Sequence, residues 1–188
     1  MKNNNFIIFF CFSLAFISCT IKGNFKGLYS YYDSTKSERP ELLISLEDST
    51  SVCEMKQTNI PKIYIINGNQ LKNCLNLNLK SLIYIWGPKC SSKICVPLEI
   101  LQHDCYIKGI DLYIVAEYYD TELMELKYDI NRPIFGIDIK YYKSSLTSKY
   151  LSKFIYDITG KIEESDNRFF YFENGLFLKS YNTIDLVP

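Results

Sequence analysis

Leu82-Ile83-Tyr84-Ile85-Trp86-Gly87-Pro88-Lys89-Cys90-Ser91-Ser92-Lys93-Ile94-Cys95 is the stretch on which the reading of this chain turns. Its apolar, β-rich opening predicts a buried strand, and Gly87-Pro88 breaks it. Cys90 then stands where an amphipathic helix is expected to begin. A thiol at a helix start faces backbone N–H groups without intrahelical partners and the positive end of the helix dipole, and both favour the thiolate. Lys89 and Lys93 flank it and act in the same direction. Trp86 is placed to wall one side of such a site from water, and Pro88 fixes how the strand hands over to the helix. Cys90 is therefore a candidate reactive thiol. The competing reading makes Cys90 and Cys95 a structural staple or two quiet thiols.

Downstream, Ile94, Leu98, Leu101 and Cys105 fall at i, i+4, i+7 and i+11, the apolar stripe of a helix, which makes Cys105 a core thiol. His103 lies off that stripe and too far along the axis to serve Cys90 as a base, so it reads as a surface histidine. Upstream, Lys62 to Ile66 predicts a strand, Asn67-Gly68-Asn69 a turn, and Gln70 to Leu79 a short helix or irregular crossover. The second half alternates. Ile110 to Ala116 is a strand, Asp120 to Tyr128 a helix capped by Asp120, and Pro133 to Ile139 another strand. Leu146 to Ile158 is a longer helix ended by Gly160. Arg168 to Phe172 and Leu176 to Ser180, joined by Glu173-Asn174-Gly175, predict a closing β-hairpin. The fold class is α/β: a sandwich built on a mixed sheet.

The first residues read as targeting rather than fold. Lys2 carries the positive charge, Phe6 to Ile17 form an apolar run too short to span a bilayer comfortably, and Ser18-Cys19 follow. This is the layout of a secretory signal over residues 1–18. Phe16-Ile17-Ser18-Cys19 also resembles a bacterial lipobox, which implies a lipid on Cys19, with Phe16 where leucine is usual; cleavage to a soluble secreted product is the alternative. Residues 19–59 are polar and predict a tether and N-terminal extension, with a short strand near Leu42 to Leu46 and the Tyr29 to Tyr32 cluster packed on the main domain. Residues 60–188 form that domain.

Export changes what the cysteines mean. Of seven, Cys11 lies in the signal and Cys19 is the lipid site, which leaves Cys53, Cys74, Cys90, Cys95 and Cys105. Five thiols cannot all pair within one chain, although disulfides persist in an oxidising compartment. No Cys-x-x-Cys pair occurs and His103 is the one histidine, so a metal site is disfavoured. The 21 basic and 21 acidic residues cancel, leaving no field to attract nucleic acid. No glycine-rich nucleotide fingerprint is present, so no cofactor or nucleotide is expected.

Strand, Trp86-Gly87-Pro88-Lys89-Cys90, helix, strand, helix and a terminal Phe169-Phe170-Tyr171-Phe172-Glu173-Asn174-Gly175 hairpin resemble the thioredoxin-like superfamily. The likeness is to its secreted and lipid-anchored bacterial thiol-disulfide oxidoreductases and runs from about Ile60 to Ile184. It implies a three-layer sandwich with a mixed central sheet, Cys90 as the attacking cysteine, and Trp86 and Lys89 in the places of the family's two tryptophans. Two positions depart from the pattern. The family's resolving cysteine is replaced by Lys93, and Cys95 comes two residues later; five residues along a continuous helix separate Cα atoms beyond the ~7 Å that a disulfide allows. The family's cis-proline slot holds Asn167. The resemblance thus implies either a redox enzyme in which Cys90 attacks and Cys95 resolves, or a binding or scaffold lipoprotein with a fixed Cys90–Cys95 bridge. Its partners are protein thiols or disulfides of the cell envelope, facing the periplasm, and the membrane is reached through the N-terminal lipid.

Overall fold

A computed structural model describes residues 27–47, 49–90, 95–163 and 166–188. The expected signal and lipid site, Cys19 included, lie outside the described residues, as does Lys93. The element order is α1 (Tyr32–Glu38), β1 (Leu43–Ser45), β2 (Ile63–Ile66), α2 (Gly68–Leu75), β3 (Lys80–Trp86), α3 (Leu98–Ile107) and β4 (Asp111–Ala116). There follow α4 (Thr121–Met124), β5 (Phe135–Ile137), α5 (Ile139–Tyr142), α6 (Thr147–Thr159), β6 (Phe169–Glu173) and β7 (Leu176–Tyr181). One seven-stranded mixed sheet runs β1-β2-β5-β4-β3-β6-β7. Neighbours from β1 to β3 are parallel, and β6 and β7 pair antiparallel. The expected α/β class with a mixed sheet and a closing hairpin is what the chain adopts.

The strand at the centre of the sequence reading lies inside the sheet, between β4 and β6. Every residue of β3 after Lys80 is buried, as a continuous apolar run between two hydrogen-bonded neighbours requires. Leu82 pairs with Leu112 on one side and Tyr171 on the other. The hairpin turns through Asn174 (φ 50°) and Gly175 (φ 76°), the two left-handed residues of a tight I′ connection. Gly160 (φ 71°) ends α6 as expected. That helix buries Tyr150, Phe154 and Ile158 against α2, β5 and β7.

Several expectations are corrected. Asn67-Gly68-Asn69 is a helix start rather than a turn. Asn67 Oδ1 accepts from Gln70 N at 3.0 Å and Gln70 Oε1 from Asn67 N at 3.0 Å, a reciprocal cap at Asn-x-x-Gln. Within the expected short helix or crossover from Gln70 to Leu79, α2 stops at Leu75 and Leu79 is 78% exposed, because Leu77 N and Asn78 N turn back onto Cys74 O and Leu75 O before β3 begins. The helix foreseen to Tyr128 is the single turn α4, and α5 follows β5 unforeseen, with Asp138 accepting from Lys140 N and Tyr141 N. The segment before residue 60 forms the expected strand near Leu42 as the edge strand β1, and also supplies α1 and the buried side chains Tyr32, Leu42, Leu43 and Val52. Its tyrosine cluster packs through Tyr32, edge-on to Tyr119 at 5.2 Å.

Candidate functional site

Cys90 and Cys95 form a disulfide with Cα atoms 5.8 Å apart. Among the described residues the helix after β3, α3, begins at Leu98 rather than at the cysteine, with Pro97 at its N-cap. Proline lacks the N–H of an interior helical residue and is tolerated at the opening of the helix. Cys90 instead ends a tight turn after β3, donating its N–H to Gly87 O at 3.0 Å. A regular helix would hold Cα atoms five residues apart beyond bonding distance. Cys90 is exposed and Cys95 half-buried, so the bridge lies at the surface where the carboxyl end of β3 emerges. With α3 starting so far downstream, its dipole is not the charge that would favour a Cys90 thiolate.

Other charges are close. A methyl group built on Gly87 would meet Glu117 Oε2 at 3.2 Å, Cys90 Cβ at 3.6 Å and Arg168 Nη1 at 3.9 Å. These three groups converge over the bare glycine, and Arg168 Nη1 donates to Glu117 Oε2 at 2.6 Å. Glu117 follows β4, with its N–H on Trp86 O at 2.8 Å. Arg168 precedes β6, with its carbonyl accepting from Ile85 N at 2.8 Å. Both backbones are thereby fixed to β3. Beneath them Tyr84 stacks on Phe169 at 4.7 Å, and its hydroxyl reaches the Val96 backbone beside Cys95. Burial pushes the Tyr84 phenol above its ordinary value.

The remaining sequence-predicted residues fall into place unevenly. Trp86 is buried and meets Tyr128 edge-on at 5.6 Å, and Pro88 is buried in the turn. Lys89 lies beside Cys90 but directs its amine to Asp120 and Glu122, each at 3.0 Å, so the expected support for a thiolate is offset by two carboxylates. Its N–H meets the Tyr118 hydroxyl at 3.1 Å. Asn167 donates Nδ2 to Ser180 Oγ at 2.7 Å and thereby ties the entrance of β6 to β7. Glu117 and Arg168 escaped the sequence reading. The signal for them is positional: polar residues at the carboxyl ends of parallel strands, and at the amino end of an antiparallel neighbour, share one edge of the sheet, where α/β sheets place their ligands.

The other described cysteines are interior. Cys53 and Cys74 form a second disulfide that joins the N-terminal segment to α2, with Cα atoms 4.9 Å apart and both residues buried. Cys105 is a buried free thiol on α3, and burial pushes it up to about 12. Among the described residues no cluster of His, Cys, Asp or Glu could hold a metal, and no helix is long and apolar enough to cross a membrane. A polar hollow of about 220 Å³ borders Lys89 and is lined by Tyr31, Glu38, Tyr118, Asp120 and Glu122. The larger cavity, about 520 Å³, lies between α5 and α6, away from the disulfide. No protein-family model, curated protein or solved structure matches the chain.

Proposed function

We propose that this chain is an exported thiol-disulfide exchange protein with a thioredoxin-like domain, held at the cell envelope by a lipid on Cys19 and working through Cys90 and Cys95. The observation that carries the reading is the accessible Cys90–Cys95 bridge at the end of a central strand, beside an ion pair. The run from β3 through the bridge, α3 and β4, closed by the β6–β7 hairpin, supports the thioredoxin-like assignment.

In the reduced protein the Cys90 thiolate attacks one sulfur of a partner disulfide. A mixed disulfide forms and the partner's other sulfur leaves as thiolate. The Cys95 thiolate then attacks Cys90 Sγ, the intramolecular bond closes and the second partner thiolate leaves. The partner gains two electrons and the chain loses two; a partner dithiol attacking the Cys90–Cys95 bond runs the same steps in reverse. The exposure of Cys90 and the half-burial of Cys95 support an attacking role for the first and a resolving role for the second.

The test is a glutathione redox titration of the mature protein, followed by the fluorescence of Trp86, the single tryptophan, and by the mass of trapped thiols. Reversible two-electron cycling of Cys90 and Cys95, lost in Cys90→Ser, is the expected outcome. A bridge that yields only when the protein unfolds makes it a fixed staple in a scaffold protein and sinks the exchange reading. The mass of the mature N-terminus decides whether Cys19 carries lipid.

A further inference from the structure

We propose that Arg168 and Glu117 are positioning residues for Cys90: when the bridge opens, the Arg168 guanidinium serves as counter-charge to the Cys90 thiolate, and the Glu117 carboxylate limits how far it does so. This rests on the exchange reading, since it concerns the reduced state of the same site.

A thiolate at Cys90 needs a cation, and two obvious sources are removed. The first turn of α3 begins at Leu98, and the Lys89 amine is engaged by Asp120 and Glu122. Among the described residues the Arg168 guanidinium remains, close to Cys90 Cβ over Gly87, and Lys93 lies outside them. The contacts around Gly87 put both Arg168 Nη1 and Glu117 Oε2 inside the ~8 Å screening length of physiological salt from Cys90 Cβ. Their side chains are 24% and 16% exposed, so solvent screens them only in part. Their backbones are fixed to β3 and β7, which leaves side-chain rotation as the way for Arg168 to turn from carboxylate to thiolate. Gly87 makes the approach possible, because a Cβ would press on Glu117 Oε2 at 3.2 Å.

Each element around the thiol contributes a group. β3 brings Tyr84, whose phenol feels Arg168 and Glu117 with opposite sign; the turn brings Lys89 with Asp120 and Glu122; the segment after β4 brings Tyr118. Among the described residues the Arg168–Glu117 pair combines a cation and an anion over Gly87, and the two must act on Cys90 in opposite directions.

That opposition is the test. In a Cys95→Ser background, which leaves Cys90 unbridged, the rate of alkylation by iodoacetamide is measured against pH, with the adduct located at Cys90 by mass. The thiolate displaces iodide, so the rate follows the thiolate fraction. Glu117→Gln is expected to move the profile to lower pH, and Arg168→Gln to higher pH. Moving the profile by one pH unit changes the rate below the midpoint roughly tenfold. Arg168→Lys restores part of the wild-type profile. Loss of folding would move both variants the same way, and any pattern other than opposite displacements overturns the proposal; if Arg168→Gln does not fold, the direction of Glu117→Gln decides. The glutathione titration of the unmutated chain separates the two ideas. A bridge that does not cycle sinks the exchange reading, whereas a cycling bridge with both profiles displaced the same way sinks only the role of the pair.

Discussion

Cys90 and Cys74 each belong to a disulfide, and what distinguishes them is what can reach them. Disulfide exchange needs in-line approach of a thiolate to sulfur, so its rate follows access before anything else. Cys90 is exposed, whereas Cys53 is 6% and Cys74 0% exposed, within the hydrophobic core that Val52 and Leu71 share. Limiting dithiol reductant at neutral pH, followed by trapping and mass mapping, should therefore label Cys90 and Cys95 well before Cys53 and Cys74. Cys105, buried and pushed up to about 12, should stay unlabelled until the chain unfolds. Equal labelling of both pairs in the native protein would show that access does not separate them. These residues are only half legible in the sequence. Counting thiols shows that five cannot all pair, and the stripe Leu98, Leu101, Cys105 places one of them inside. The partners of Cys53 and Cys74, and the meeting of Glu117 with Arg168, depend on the register of strands distant in sequence, which no local pattern encodes.

At the scale of elements, the helix start at Asn67 shows how local signals can be misassigned. Asn67-Gly68-Asn69 carries turn chemistry, yet Gln70 three residues after Asn67 completes a reciprocal cap that a turn would not need. Gly68 then lets α2 approach α6, since a Cβ there would lie 2.6 Å from Asp157 Cβ and 2.9 Å from Phe154 O. Asn67→Ala removes the side-chain acceptor for Gln70 N while keeping the Asn67 backbone N–H that donates to Gln70 Oε1. The expected loss is about 1 kcal/mol, within a range of roughly 0.5–2 kcal/mol, read as a lower urea midpoint at unchanged slope. An unchanged midpoint would mean that tertiary packing, not the cap, sets where α2 begins. Elements with strong periodicity are legible for the opposite reason. The run Leu82 to Trp86, the stripe Tyr150, Phe154, Ile158 and the turn Asn174-Gly175 each satisfy a single geometry. Short α4 and α5 are held by Asp120 and Asp138 caps and by what surrounds them, and four residues carry too little pattern to announce themselves.

Across the whole molecule the core is unusually phenolic: 16 tyrosines are present, and several of those buried in it anchor the sheet through their hydroxyls. Tyr119 donates to Ile137 O at 2.7 Å and Tyr150 to Glu117 O, while Tyr142 donates to Asp157 Oδ2 at 2.8 Å and accepts from Gly68 N at 2.8 Å. Tyr150 thus supports the backbone of the residue that pairs with Arg168, which links the core to the disulfide site. Burial raises Tyr119, Tyr142 and Tyr150 well above their ordinary value of 10.0, and raises Cys105 from 9.0 to about 12. The native state keeps these protons where the unfolded chain has released them. The unfolded state then binds fewer protons, so stability falls as pH rises. For Cys105 the contribution is fully present below about pH 9 and is lost progressively from there through about pH 12, and the buried tyrosines, raised from 10.0, extend the loss in the same direction. Urea unfolding from neutral pH upward should show a midpoint that falls steadily above that point, and the tyrosinate absorbance of the native protein should lag behind that of the unfolded chain. Coincident tyrosine titrations in the native and unfolded states would contradict this account. They would mean that water reaches the hydroxyls packed between sheet and helices, and that Glu117 does not rest on a closed core.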